Sequence, residues 1–143
     1  MKIRIEASVD IARAPAEVFA VVTDVAHHPD WSSGVERVID LSDSAVTPGT
    51  TWTQFSRILG REFEIHAKVI GYVADRRFEF SVDQPAPIEM LWRLEPTPAG
   101  THLTVSAKGE AGKFYLLVKP MTGALRDALA ADLARLSRRL EAA

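Results

Sequence analysis

The residues in this 143-residue chain whose types and spacing bear on chemistry are few: four histidines, a Gln54/Ser56 pair at alternate positions, and Tyr115 just ahead of Pro120. His27 and His28 are neighbours, so on a helix their side chains diverge by about 100° and chelate poorly. No two histidines stand four apart, as a helical metal-binding pair requires. There is no cysteine, which excludes disulfides, thiolate metal sites and cysteine nucleophiles. The sequence therefore predicts no metal centre and no cofactor. Gln54 and Ser56 share one face of an alternating segment with Trp52. Two readings of this pair stay open: its groups bond each other, water or a helix, or they orient the oxygen of a ligand.

The positions of these residues depend on strands and turns. Residues 2–11 alternate, with Ile3, Ile5, Ala7 and Val9 on one face, and read as a half-buried strand. Pro15 opens a short helix whose apolar stripe is Val18, Phe19 and Val22. Residues 24–33 read as a second short helix or a structured loop. From Val35 to Gly109 strands alternate with turns. A turn at Gly60-Arg61 sets Ile58 opposite Phe63, Ser56 opposite Ile65, Gln54 opposite Ala67 and Trp52 opposite Val69, with Arg57 facing Glu64 on the other side. A turn at Asp75-Arg76 sets Val73 opposite Phe78 and Val69 opposite Val82. A third, centred on Pro98-Ala99, sets Leu94 opposite Leu103, Trp92 opposite Val105 and Met90 opposite Ala107. The three hairpins agree on one apolar inner face, which carries no Asp, Glu, His, Lys or Arg. His66, His102, Phe55, Tyr72 and Leu91 fall on the outer face. Beyond Lys113 the chain is helical to Glu141 and is interrupted at Pro120. Met121, Leu125, Ala128, Leu129, Leu133, Leu136 and Leu140 then form an apolar stripe. This helix is long enough to cross the sheet.

Composition narrows the partners. A formal net charge of −2 gives no broad attraction to nucleic acid or anionic lipid. With 47% apolar residues the chain can bury a core, yet no apolar run approaches the roughly 20 residues of a membrane span. Met1-Lys2-Ile3-Arg4 has no apolar leader region, so a cytoplasmic protein without stable membrane insertion is expected. The outer face carries only scattered apolar residues, which suits a monomer or weak dimer.

The order strand, two short helices, meander, long helix resembles the START-like (SRPBCC) superfamily, in particular its polyketide cyclase/dehydrase and lipid-transport branch, which shares its fold with pollen allergens of the Bet v type. The residues that carry the resemblance are Ala14-Pro15-Ala16-Glu17-Val18-Phe19, His28-Pro29-Asp30-Trp31, Asp75-Arg76-Arg77-Phe78, Glu95-Pro96-Thr97-Pro98-Ala99-Gly100-Thr101 and Asp132-Leu133-Ala134-Arg135-Leu136. The resemblance runs the length of the chain and implies one domain over residues 1–143. It also implies an α+β helix-grip fold, with a curved antiparallel sheet of about six or seven strands wrapped on a long C-terminal helix and two short helices after the first strand. Sheet and helix in such proteins leave a cavity for apolar molecules.

The expected function is binding of an apolar small molecule, a lipid, polyketide or similar, as a carrier or sensor. One alternative is a polyketide cyclase or dehydratase that positions a reactive chain. Another is a partner-regulating protein whose cavity is filled. The inner face offers no ionisable group, so the sequence leaves open whether a reaction occurs and names no catalytic residue. The expected ligand contacts on the strands are Trp52, Gln54, Ser56, Phe63, Phe78, Phe80, Met90 and Trp92. Tyr115 and Leu125 are expected to join them from the helical tail.

Overall fold

The computed structural model describes residues 2–143, so Met1 lies outside the described residues. The first strand, β1 (Lys2–Ile11), buries Ile3, Ile5 and Ile11. Helix α1 (Pro15–Val22) follows with Pro15 in its first turn, where a missing N–H leaves no helical bond unmade. Its buried residues are Val18, Phe19 and Val22. A 3-10 helix, Val25–Asp30, comes next. The meander consists of β2 (Val35–Ile39), β3 (Thr51–Ile58), β4 (Arg61–Val73), β5 (Arg77–Val82), β6 (Ile88–Thr97) and β7 (Gly100–Glu110). All pairings are antiparallel, and the strand order is β1-β7-β6-β5-β4-β3-β2. Chain-adjacent strands pair throughout the meander, and β1 closes onto β7.

The β6–β7 register is the one expected, with Leu94 opposite Leu103, Trp92 opposite Val105 and Met90 opposite Ala107. The β3–β4 register differs. Its two-residue turn is Leu59-Gly60, both at positive φ (50° and 78°), the conformation that matches strand twist in tight hairpins. Ser56 therefore faces Phe63, Gln54 faces Ile65, Trp52 faces Ala67, and Arg57 faces Glu62 rather than Glu64. A two-residue slip preserves which side each residue faces, so the inner face survives.

The β4–β5 hairpin departs further. A bulge between Val69 and Gly71 inserts one residue. Beyond it Val69 faces Phe80 and Ala67 faces Val82, while before it Tyr72 faces Phe78 and Val73 faces Arg77. The insertion exchanges the two sides near the turn. Val73 is exposed, and Tyr72, expected outside, packs edge-on against Phe19 with ring centroids 5.3 Å apart.

After β7 come a short 3-10 turn, Gly112–Phe114, and helix α2 (Tyr115–Val118). The helix α3 (Met121–Glu141) starts just past Pro120, where the sequence places the break. It runs along β1 and reaches β3. Leu133, Leu136 and Leu140 are buried in the core with Phe78, Trp92 and Val105. Of the stripe leucines at 125, 129 and 136, only Leu136 is fully buried; Leu125 and Leu129 are partly open. Arg13 fastens the end of α3, donating from Nη2 to the carbonyls of Glu141 (2.8 Å) and Ala143 (3.0 Å). No helix among the described residues is long and apolar enough to cross a membrane.

Candidate functional site: a cavity under the N-terminal half of the long helix

The stripe of α3 is bulky toward its C-terminus and slight toward its N-terminus. Leu133, Leu136 and Leu140 fill the space over the sheet, whereas Ala124 and Ala128 stand where larger residues would close it. A cavity of about 220 Å³ remains between α3, the inner sheet face and the 3-10 helix. Leu125 and Leu129 are half-buried because they face this space. Its rim includes Leu59, 63% exposed at the β3–β4 turn.

Six of the ten expected contact residues line the cavity: Gln54, Ser56, Phe80, Met90, Trp92 and Leu125. Trp52 and Phe78 lie in the packed core beside them, Trp52 edge-on to Phe80 at 5.0 Å. Phe63 packs with Ile65 and Met121. Tyr115 is 36% exposed, and its hydroxyl accepts a hydrogen bond from Lys119 Nζ at 3.0 Å.

The polar residues on the sheet form a directed chain. Trp52 Nε1 donates to Gln54 Oε1 (2.9 Å), and Gln54 Nε2 donates to Ser56 Oγ (3.1 Å). The chain ends on a hydroxyl whose proton has no acceptor among the described residues. The pair is internally bonded, and Ser56 lines the cavity wall. Trp31 and Trp92 also line the cavity, and their Nε1 groups are buried without partners among the described residues. Leaving a buried donor unpaired costs about 1–3 kcal/mol. The two indoles stand edge-to-face, 5.6 Å apart.

Arg61 stands on the inner side at the exposed start of β4, opposite Ile58 and with its guanidinium 5.2 Å from the Phe63 ring centroid, but the buried ionisable residues of the cavity come from elsewhere. His28 and Asp132 reach it from the 3-10 helix and from α3. The Asp132 carboxylate is 4% exposed and accepts four hydrogen bonds. Oδ2 accepts from Ser32 Oγ (2.9 Å); Oδ1 accepts from Ser33 N (3.0 Å), Ser33 Oγ (3.1 Å) and Arg135 Nη2. Arg135 Nε donates in turn to Trp31 O (3.0 Å), so one carboxylate ties the loop after the 3-10 helix to α3. The sequence does signal Asp132, because it continues the 125/128/129 stripe at helical spacing and is its one charged member.

His28 carries a different signal. Val25, His28 and Trp31 recur every three residues, the period of a 3-10 helix, and all three are buried. His28 Nε2 lies 2.7 Å from Val22 O, an obligate acceptor, so Nε2 carries the proton. Burial pushes this imidazole below the ordinary histidine value, against a smaller opposing effect of the Val22 hydrogen bond, and the ring is neutral. His27 points outward to Asp24, whose hydrogen bond raises its pKa. His66 and His102 lie outside as expected, paired with Asp83 and Asp10 at 2.8 Å each. Among the described residues no cluster of three potential metal ligands forms.

A family model described as polyketide cyclase / dehydrase and lipid transport matches residues 2–141. No curated protein matches the chain. Solved structures share the fold. Ara h 8.0201 superposes with a TM-score of 0.77 at 12% identity, over 100% of both chains. A protein from Rhodobacter sphaeroides gives 0.75 at 19% identity, over 99% of this chain and 94% of that one. The Polyketide_cyc-like protein Cgl2372 from Corynebacterium glutamicum gives 0.65 at 24% identity, over 99% and 93%.

Proposed function

The chain belongs to the polyketide cyclase / dehydrase and lipid transport family, and on that premise we propose that residues 1–143 act as one START-like binding unit for an apolar small molecule. The observation that carries this reading is the cavity of about 220 Å³ beneath Ala124 and Ala128, lined mostly by apolar side chains with a few polar ones among them. An apolar cavity of about 150 Å³ accommodates benzene. The present one therefore suits a compact molecule of one or two rings or a short chain, and any longer tail would pass Leu59 into solvent. Burying about 250 Å² of apolar ligand surface gains roughly 6 kcal/mol. Association costs reduce that, so a dissociation constant of about 0.1 mM is expected for a purely apolar occupant.

Phe80, Met90, Trp92 and Leu125 are assigned as the apolar contacts, with Gln54 and Ser56 orienting an oxygen of the ligand. Trp52, Phe63 and Phe78 support this wall from behind. The role is that of a carrier or sensor in the cytoplasm. A second reading, a cyclase- or dehydratase-type enzyme, draws support from His28 and Asp132, ionisable residues that the sheet alone does not provide. Displacement of a hydrophobic dye tests the binding reading. The wild type should take the dye, and Met90→Trp should abolish uptake by filling the space while leaving the far-UV circular dichroism unchanged. A folded Met90→Trp that binds the dye as before would move the site elsewhere.

A further inference from the structure

The polar groups at the cavity wall are unequal in kind. Ser56 Oγ receives the Gln54 amide and retains its own proton for donation. Nε1 of Trp31 and of Trp92 are buried with no acceptor among the described residues. The Asp132 carboxylate is engaged by Ser32, Ser33 and Arg135. Nδ1 of His28, whose Nε2 proton is committed to Val22 O, is left with a lone pair and no proton of its own. It has no partner among the described residues, and His28 is one of the residues that line the cavity. The wall thus combines a hydroxyl donor at Ser56 with an unpartnered ring acceptor at His28.

We propose that His28 is a specificity-determining residue of this cavity, and that its Nδ1 accepts a hydrogen bond from a hydroxyl on a compact aromatic ligand. The inference rests on the cavity's being the binding site. Its geometric basis is the fixed tautomer. A neutral imidazole bonded through Nε2–H to a carbonyl can only accept at Nδ1. The matching ligand is a neutral hydroxyaryl compound, its O–H directed at His28 and its oxygen lone pairs, or a second oxygen, within reach of the wall donors. An ether at the same position leaves Nδ1 unpaired, because an ether has no proton to give. A site built to bond a hydroxyl discriminates against the analogue that lacks one.

Three probes of one ring system separate the possibilities: naphthalene, 2-methoxynaphthalene and 2-naphthol, each titrated into the intact protein by calorimetry or fluorescence. Naphthalene should bind weakly, and 2-naphthol about five- to tenfold more tightly than its methyl ether. The preference should fall to about twofold or less in His28→Phe, while naphthalene binding persists. His28→Gln serves as the second variant, since it keeps an N–H for Val22 O and removes the ring acceptor. A readout on the unaltered chain completes the test. With His28 isotopically labelled, the ¹⁵N resonance of Nδ1 should move upfield on adding 2-naphthol and stay in place with naphthalene. If naphthalene binds but naphthol and its ether are taken equally, or Nδ1 does not respond, the role given to His28 is wrong and the cavity reading stands. If none of the three binds at high micromolar concentration, both are wrong.

Discussion

Replacing Asp132 with alanine should be the most damaging single change outside the hydrocarbon core. The carboxylate is buried and accepts four hydrogen bonds, from Ser32 Oγ, Ser33 N, Ser33 Oγ and Arg135 Nη2. Alanine removes all four acceptor interactions at once. It leaves the Ser33 amide without its partner and Arg135, 38% exposed, without its counter-charge. Breaking a buried ion pair by deleting one side costs about 3–5 kcal/mol. The partial exposure of Arg135 lets water recover some of its share, which places the expected loss near the lower bound, about 3 kcal/mol. For a chain of this size that lowers the melting temperature by roughly 10 °C. Urea unfolding monitored by tryptophan fluorescence measures it, and Trp31, whose carbonyl Arg135 holds, should report the loosened loop. Asp132→Asn should lose less, since it keeps one acceptor oxygen in place. A loss below about 1 kcal/mol for Asp132→Ala would mean that the loop from Trp31 to Ser33 is not fastened to α3 by this carboxylate.

Two further outcomes follow from burial. Leu136→Ala should cost about 2–5 kcal/mol, because Leu136 is fully enclosed, whereas Leu129→Ala should cost markedly less, because it borders existing space and only enlarges it; equal losses in chemical denaturation would deny that the cavity lies under this part of α3. Stability should also fall with acid through His28. Its folded pKa lies below the ordinary value of about 6.5, so the unfolded chain takes up the proton first, and the stabilisation present above about pH 6.5 is lost as pH falls toward and through the lowered value. His27 and His66 are raised by Asp24 and Asp83 and contribute with the opposite sign. Urea midpoints compared between wild type and His28→Gln over about pH 7.5 to 5 should therefore show a shallower decline in the variant, and parallel curves would remove His28 from the acid response.

The element order, the strand faces and the break at Pro120 were legible because each depends on local chemistry. Period-two alternation, a proline without an N–H, and leucines at helical spacing act over a few residues. Register was legible where the turn was symmetrical, as at Pro98-Ala99, and slipped by two at Leu59-Gly60. There a leucine adopts positive φ, a conformation its side chain does not advertise. The bulge before Gly71 was hidden for a different reason. An added residue leaves the hydrophobic pattern intelligible on either side and only exchanges their phase, so Tyr72 was placed on the wrong face. The family resemblance implies the cavity, but its buried ionisable residues do not stand on the strands. His28 and Asp132 come from helical elements, whose periods of three and about 3.6 differ from the two-residue alternation that marks the strand faces.

The closure of β1 onto β7 bears on how the chain acquires this structure. Lys2 pairs with Glu110 and Ile11 with Thr101, so the first strand waits for a partner about a hundred residues downstream. The hairpins from β3 to β7 involve neighbours and can form early. Until β7 is in place, both it and β1 present unpaired edges, and α3, which lies along β1, has no seat. Folding should accordingly be limited by a late, non-local docking step, slow for a protein of this length, and the transient species before it should be the ones most prone to aggregate. The cavity, whose walls draw on β1, the meander and α3 together, comes into being only with that last step.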